Sequence, residues 1–255
     1  MPSFKITIAY DGSQYVGWQR QAAGTSVQGL LEDALRELDG RDVTVHGAGR
    51  TDAGVHALGQ VANFALVRDT TPDVVVRALN ARLPHDVRVL SAHEVPEAFH
   101  ARFDAMSKTY RYRLSNAGVL SPFERAYAWH VPGSLDVQAM AAAARLVEGR
   151  HDFAAFQTTG GATGSTERVV LSSSLTSSDD GIILYEVTGR GFLRHMVRAI
   201  AGTLMEIGRG RQPIEWMRGV IDARDRGQAG RSAPAHGLFL VRVDYEVVQF
   251  PPDVA

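Results

Sequence analysis

The alternation of apolar and polar residues predicts strands and helices that do not follow a strict strand–helix repeat. Two-residue periods, typical of strands, occur at residues 4–9, 87–90, 110–114, 182–187 and 238–248. Apolar residues at helical spacing predict helices at residues 27–38, 72–83, 136–147, 192–207 and 214–223. Because the strands come in pairs separated by single helices, the pattern favours an α+β fold with largely antiparallel sheets.

Short polar motifs mark the element ends and the domain organisation. Thr25 or Ser26 caps the first helix and Gly40 ends it, while Thr71 precedes a proline at the first position of the second helix. Residues 160–165 are rich in glycine, threonine and serine and predict a loop. No low-complexity tract marks a linker, and we expect a boundary near residues 104–108, between domains 1–105 and 106–255.

Composition excludes several classes of site and reveals one strongly basic region. The 255 residues include no cysteine, which excludes disulfides, thiolate zinc sites and cysteine nucleophiles and fits a reducing cytoplasm. No apolar run approaches the roughly 20 residues of a membrane span, and no signal peptide is evident, so we expect no membrane association. The net charge is −1, yet residues 190–231 contain nine arginines against four acidic residues.

Within this basic region, Arg190, Arg194 and Arg198 recur every four residues. They share one face if the helix begins early. The ordinary interpretation is a solvated surface, whereas the acid-free run over residues 189–203 favours a ridge that contacts phosphates.

The segment Gly47-Ala48-Gly49-Arg50-Thr51-Asp52-Ala53-Gly54-Val55-His56 is the strongest candidate for chemistry. It lies between apolar segments at residues 43–45 and 61–66, which predict strands on either side of a glycine-bent loop. Asp52 either caps a turn or serves as an ionised nucleophile. Arg50 would either keep Asp52 ionised by pairing with it or bind a phosphate. His46 and His56 flank the loop, but their spacing fits no zinc signature, so we expect no metal.

Tyr110 and Tyr112 alternate with Arg111 and Arg113, which places the two tyrosines on one face of a strand. That face is either half-buried or carries an aromatic ring available for stacking on a base.

Together these segments resemble the tRNA pseudouridine synthase A family. The glycine loop at residues 47–57 resembles the family signature, and the similarity extends in order across nearly the whole chain. The further matching blocks are residues 10–12, 17–19, 80–84, 99–103, 108–112, 151–153, 192–198 and 236–240.

The resemblance implies two similar α+β domains that form one extended, mainly antiparallel mixed sheet, flanked by helices, with a basic active-site cleft between the domains. It implies a cytoplasmic homodimer that needs no cofactor and converts uridine to pseudouridine at positions 38, 39 and 40 of the tRNA anticodon stem-loop. The catalytic residues would be Asp52, Arg50 and Tyr110, with Asp52 as the catalytic aspartate and Tyr110 also stacking on the extruded target base. The substrate-binding residues would be Tyr110, Arg194, His195 and Arg198.

Three alternatives stay open at this point. One is an RNA-binding protein without catalytic activity, another is a metal-dependent phosphoesterase built on Asp52 and the histidines, and the third is a relative that modifies other tRNA positions. Whether Asp52 attacks C1′ of the ribose or removes a proton from C2′ is equally open.

Overall fold

A computed structural model of the chain describes residues 1–158 and 164–246 and shows one mixed sheet with helices packed on it. The strands are β1 (Ser3–Tyr10), β2 (His46–Gly47), β3 (His56–Ala65), β4 (Val87–Val95), β5 (Ala105–Ser115), β6 (Trp129–His130), β7 (Gly149–Asp152), β8 (Glu167–Ser177), β9 (Ile182–Gly189) and β10 (Leu238–Tyr245). The helices are α1 (Val27–Asp39), α2 (Pro72–Arg82), α3 (Val137–Arg145), α4 (Met196–Gly208) and α5 (Trp216–Ala223).

The sheet runs in the order β4-β1-β3-β10-β5-β9-β8-β7, with β2 added beside β3 and β6 beside β5. Neighbours are antiparallel except for β10 with β3 and β6 with β5. The predicted α+β class with a mainly antiparallel mixed sheet is therefore confirmed.

The two halves of the chain meet at β10, which positions the candidate site. Leu240 on β10 lies opposite Ala57 on β3 and opposite Tyr110 on β5. Neighbouring strands are about 4.8 Å apart, so Tyr110 and Ala57 lie roughly 10 Å apart across the sheet. The loop that carries Asp52 leads directly into β3, which only β10 separates from the β5 strand of Tyr110.

Local end signals agree with the structure. The Ser26 side chain accepts a hydrogen bond from the Gly29 amide, and Gly40 adopts a left-handed conformation after α1. Pro72 begins α2, although the Thr71 side chain makes no capping hydrogen bond. A hairpin joins β8 to β9, and Gly181 in its turn has a positive φ of 79°.

Two predicted elements are wrong in their limits. Residues 43–45 form no strand, and the short strand β2 starts at His46. Val43 and Val45 are apolar because they are buried in the core, and not because they pair with a neighbouring strand. Helix α4 begins at Met196 and not at residue 192, because His195 has a positive φ of 62°. Residues 160–163 of the predicted loop and residues 247–248 of the last predicted strand lie outside the described residues.

Helix α4 forms the centre of the C-terminal core. Eleven of its residues are buried, including Ile200, Leu204 and Ile207, so it is covered on nearly every side. Gly202 makes this packing possible, since a Cβ at that position would lie 1.7 Å from the carbonyl oxygen of Arg231. The proposed boundary between domains 1–105 and 106–255 falls at the first residue of β5, Ala105, and stays a prediction.

Candidate active site

Asp52 begins a tight turn that leads into β3. Its carbonyl accepts a hydrogen bond of 3.1 Å from the Val55 amide, and Gly54 within the turn has a φ of 76°. A turn with a positive φ at its third residue strongly favours glycine, because other residues are strained there. The Asp52 side chain remains 30% exposed, so a substrate can reach it.

The N-terminal segment holds the backbone around Asp52. Gly17 forms an isolated β-bridge with Asp52, and the Trp18 amide donates a hydrogen bond of 3.0 Å to the Thr51 carbonyl. The hydroxyl of Tyr10 and Oγ1 of Thr51 are 2.8 Å apart. These contacts explain why the motifs at residues 10–12 and 17–19 accompany the glycine loop.

Two basic side chains, those of His195 and Arg198, contact the carboxylate of Asp52. His195 Nε2 lies 3.2 Å and Arg198 Nη1 lies 3.4 Å from Asp52 Oδ2. Arg198 also donates from Nε to the Ala233 carbonyl at 2.8 Å, and its side chain is only 16% exposed. One guanidinium therefore connects the carboxylate to the backbone of a neighbouring segment, which fixes the orientation of the acid.

His195 connects Asp52 to Thr158. Its Nδ1 lies 2.9 Å from Thr158 Oγ1. Burial lowers the pKa of His195; the nearby charge of Asp52 opposes this shift, while Arg198 and Arg194 reinforce it. The ring is therefore neutral at pH 7, and in this state Nε2–H donates to Asp52 while Nδ1 accepts from the threonine hydroxyl.

Tyr110, on β5, is more deeply buried than Asp52. It is 7% exposed, and its ring packs edge-on against Phe192 with centroids 5.0 Å apart. Burial raises the pKa of Tyr110, and Tyr10 and the charge of Asp52 raise it further. Its hydroxyl therefore keeps its proton at neutral pH, close enough to Asp52 to sense that charge.

A family model described as tRNA pseudouridine synthase matches residues 6–104 and 143–246. This chain belongs to that family. The tRNA pseudouridine synthase A of Afipia carboxidovorans is 47% identical over 96% of this chain and 100% of its own length. The proteins of the same name from Moorella thermoacetica and Myxococcus xanthus are 47% and 44% identical, over 96% of this chain and 100% and 92% of their own lengths.

Arg50 and Arg194 lie outside the ion pairs of Asp52. Of the two roles expected for Arg50, the ion pair with Asp52 is not formed: Arg50 is exposed, and within the described residues the ion pairs of Asp52 are those with His195 and Arg198. Arg194 is also exposed, in the loop before α4, and affects His195 through its charge.

The predicted common helical face of Arg190, Arg194 and Arg198 is wrong. Because α4 starts at Met196, Arg190 and Arg194 precede the helix and do not share a helical face with Arg198, which points inward to Asp52.

Arg111 and Arg113 have structural partners. Arg111 forms an ion pair with Glu186 at 2.8 Å, and Arg113 forms one with Glu124 at 2.7 Å.

The histidines that flank the loop do not join Asp52. The His46 ring contacts His100, and His56 Nδ1 lies 3.1 Å from Asp11 and accepts from the Gly12 amide. In residues 1–158 and 164–246, no cluster of three or more histidine or acidic side chains could hold a metal ion. No helix in the same ranges is long and apolar enough to cross a bilayer.

Sequence reasoning missed Thr158 and Ala233. Thr158 lies beside a glycine-rich segment with nothing local to indicate a histidine partner, and Ala233 contributes a backbone carbonyl, which no side-chain pattern reveals.

Proposed function

We propose that this chain isomerises uridine to pseudouridine in the anticodon stem-loop of tRNA, at positions 38, 39 and 40. Asp52 acts on the ribose of a uridine extruded from its stack. The reaction breaks the N1–C1′ bond, turns the base and forms a C5–C1′ bond, while the hydrogen on C5 is lost and N1 gains a proton. It needs no electron transfer and no external energy source.

The contact of both His195 and Arg198 with one oxygen of Asp52 carries the proposal. A carboxylate that attacks C1′ or removes a proton from C2′ must be ionised and held in one orientation. Arg198 supplies the opposite charge, and His195 donates a hydrogen bond without adding a second charge. Both side chains act on the reaction through Asp52 and are positioning residues.

The exposed arginines and the buried tyrosine have separate roles. Arg50 and Arg194 are available to contact phosphates, and Arg50 can also fill the space that the extruded base leaves. Tyr110 stacks on the extruded base. Since only 7% of Tyr110 is exposed, the base must displace part of its cover, of which Phe192 is a member.

We further propose a homodimer, as the family resemblance implies, and a cytoplasmic location, which the lack of cysteine fits. Light scattering of the purified chain at micromolar concentration tests the dimer: twice the 27.7 kDa chain mass is expected.

Mapping pseudouridine by position tests the activity. The purified chain is incubated with unmodified tRNA transcripts, with and without EDTA, and each uridine is scored. We expect pseudouridine at positions 38–40 in both conditions. Modification elsewhere would contradict the assigned positions, loss of activity in EDTA would favour a metal-dependent reaction, and no modification at all would contradict the isomerase.

A further inference from the structure

A row of aromatic rings lies on the surface beside the Asp52 loop. The Phe103 side chain is 73% exposed, and its ring centroid is 4.3 Å from that of His100. The His100 ring is in turn 5.0 Å from that of His46, the first residue of β2. The guanidinium of Arg102 lies 5.7 Å from the Phe103 centroid. We call His46, His100, Phe103 and Arg102 the aromatic ladder.

The backbone that carries the ladder is held firmly. The buried side chain of Asn63 accepts a hydrogen bond of 2.8 Å from the Ala101 amide and donates one of 3.1 Å to the Phe99 carbonyl. Ala101 is fully buried against Ala48 of the Asp52 loop. The exposure of Phe103 is therefore imposed by a fixed scaffold that is shared with the candidate active site.

A cation lies between the ladder and the active site. Lys108 precedes Tyr110 by two residues on β5, so both side chains are on one face, about 7 Å apart along the strand. Its side chain passes Gly49, where a Cβ would lie 3.6 Å from Lys108 Cε. Burial and the charge of Arg102 lower the pKa of Lys108, and its ammonium has no ion pair or hydrogen bond within the described residues.

This combination fits a nucleotide better than an apolar partner. Single-stranded nucleic acids bind where aromatic rings stack on bases and cations contact the backbone. A single exposed phenylalanine is ordinary on a protein surface. Phe123, for example, is 83% exposed but has no aromatic or cationic neighbour at its ring in the part of the chain that the structure describes. Phe103 has both kinds of neighbour, His100 at its ring and Arg102 over its face.

We propose that the aromatic ladder stacks on one unpaired base of the RNA next to the extruded uridine, and that Lys108 binds the phosphate between the two nucleotides. The proposal rests on the function given above and names how the neighbouring nucleotide is held. Because every base presents a π-face, this contact tolerates different bases and selects for an unpaired, accessible nucleotide.

Ring substitutions in the full chain test the stacking. An anticodon stem-loop RNA carries 2-aminopurine at one unpaired position at a time, and its fluorescence and anisotropy are followed as protein is added. We expect strong quenching at one position. Phe103→Ala should abolish that quenching and raise Kd by about 5- to 150-fold, whereas Phe103→Trp should stay within about threefold of the wild type.

Phe123→Ala is the matched control and should change neither signal by more than about twofold. Lys108→Gln should reduce the slope of log K against log salt concentration by nearly one. Wild-type quenching and Kd in Phe103→Ala would overturn the ladder, as would equal losses in Phe103→Ala and Phe123→Ala. An unchanged salt slope would overturn the role of Lys108.

The two proposals fail separately. If the wild-type chain forms pseudouridine but Phe103→Ala binds RNA normally, only the ladder is refuted. If Phe103→Ala alone loses quenching but the wild-type chain forms no pseudouridine, only the catalytic proposal is refuted.

Discussion

Replacing Arg198 with lysine separates the shape of this side chain from its charge. The guanidinium uses two different nitrogens, Nε for the Ala233 carbonyl and Nη1 for Asp52. A lysine ammonium is a single point and cannot span both acceptors. A hydrogen bond to a charged group contributes about 1.5–3 kcal/mol. If the lost bond is one that orients Asp52, kcat/KM of Arg198→Lys should fall by about 10- to 150-fold.

Release of tritium from C5-labelled uridine in tRNA measures this change, because C5 loses its hydrogen when the C5–C1′ bond forms. Arg209→Lys, at the far end of α4, is the control and should stay within about twofold of the wild type. A folded Arg198→Lys variant with wild-type kcat/KM would refute the claim that both contacts are needed.

The remaining predictions concern packing and protonation. Gly202→Ala should lower the free energy of unfolding by about 1–3 kcal/mol or more and reduce Tm, because its Cβ meets a backbone carbonyl. The control Gly219→Ala, in open space on α5, should not reduce Tm. Equal Tm values for the two variants would contradict the close packing at Gly202. NMR titration should give His195 a pKa below 6.5. This pKa should fall further in Asp52→Asn, which removes a negative charge, and rise in Arg194→Gln, which removes a positive one. Shifts of opposite sign would contradict the placement of these charges around His195. Because the folded pKa of His195 is lowered, the unfolded chain binds more protons below pH 6.5, so this residue makes stability fall as the pH decreases through that window.

Elements with local signals were predictable from the sequence, and elements set by distant contacts were not. Ser26 and Gly40 mark the ends of α1 because capping and left-handed glycine involve only nearby backbone. The start of α4 was misplaced because the apolar period begins at Leu193, which is buried without being helical. His195 interrupts the period in a left-handed conformation, and its contacts are with Thr158 and Asp52, both far away in sequence.

The candidate site was predictable to a similar degree. The glycines stand out because a tight turn needs glycine, and Asp52 is the one carboxylate among residues 47–56. The contact of Asp52 with Arg198 joins residues 146 positions apart, and only the fold brings them together. Arg50 is the nearest arginine to Asp52 in the sequence, and for this reason the sequence favours it as the partner. Proximity along the chain does not determine where an exposed side chain points.

The most direct test of the account is the Asp52→Asn variant, which keeps the size of the side chain and removes its charge. The account predicts no pseudouridine above background at any tRNA position, with tRNA Kd within about threefold of the wild type. Pseudouridine formation at a rate near that of the wild type would contradict it, since the carboxylate would then not be the group that acts on the ribose.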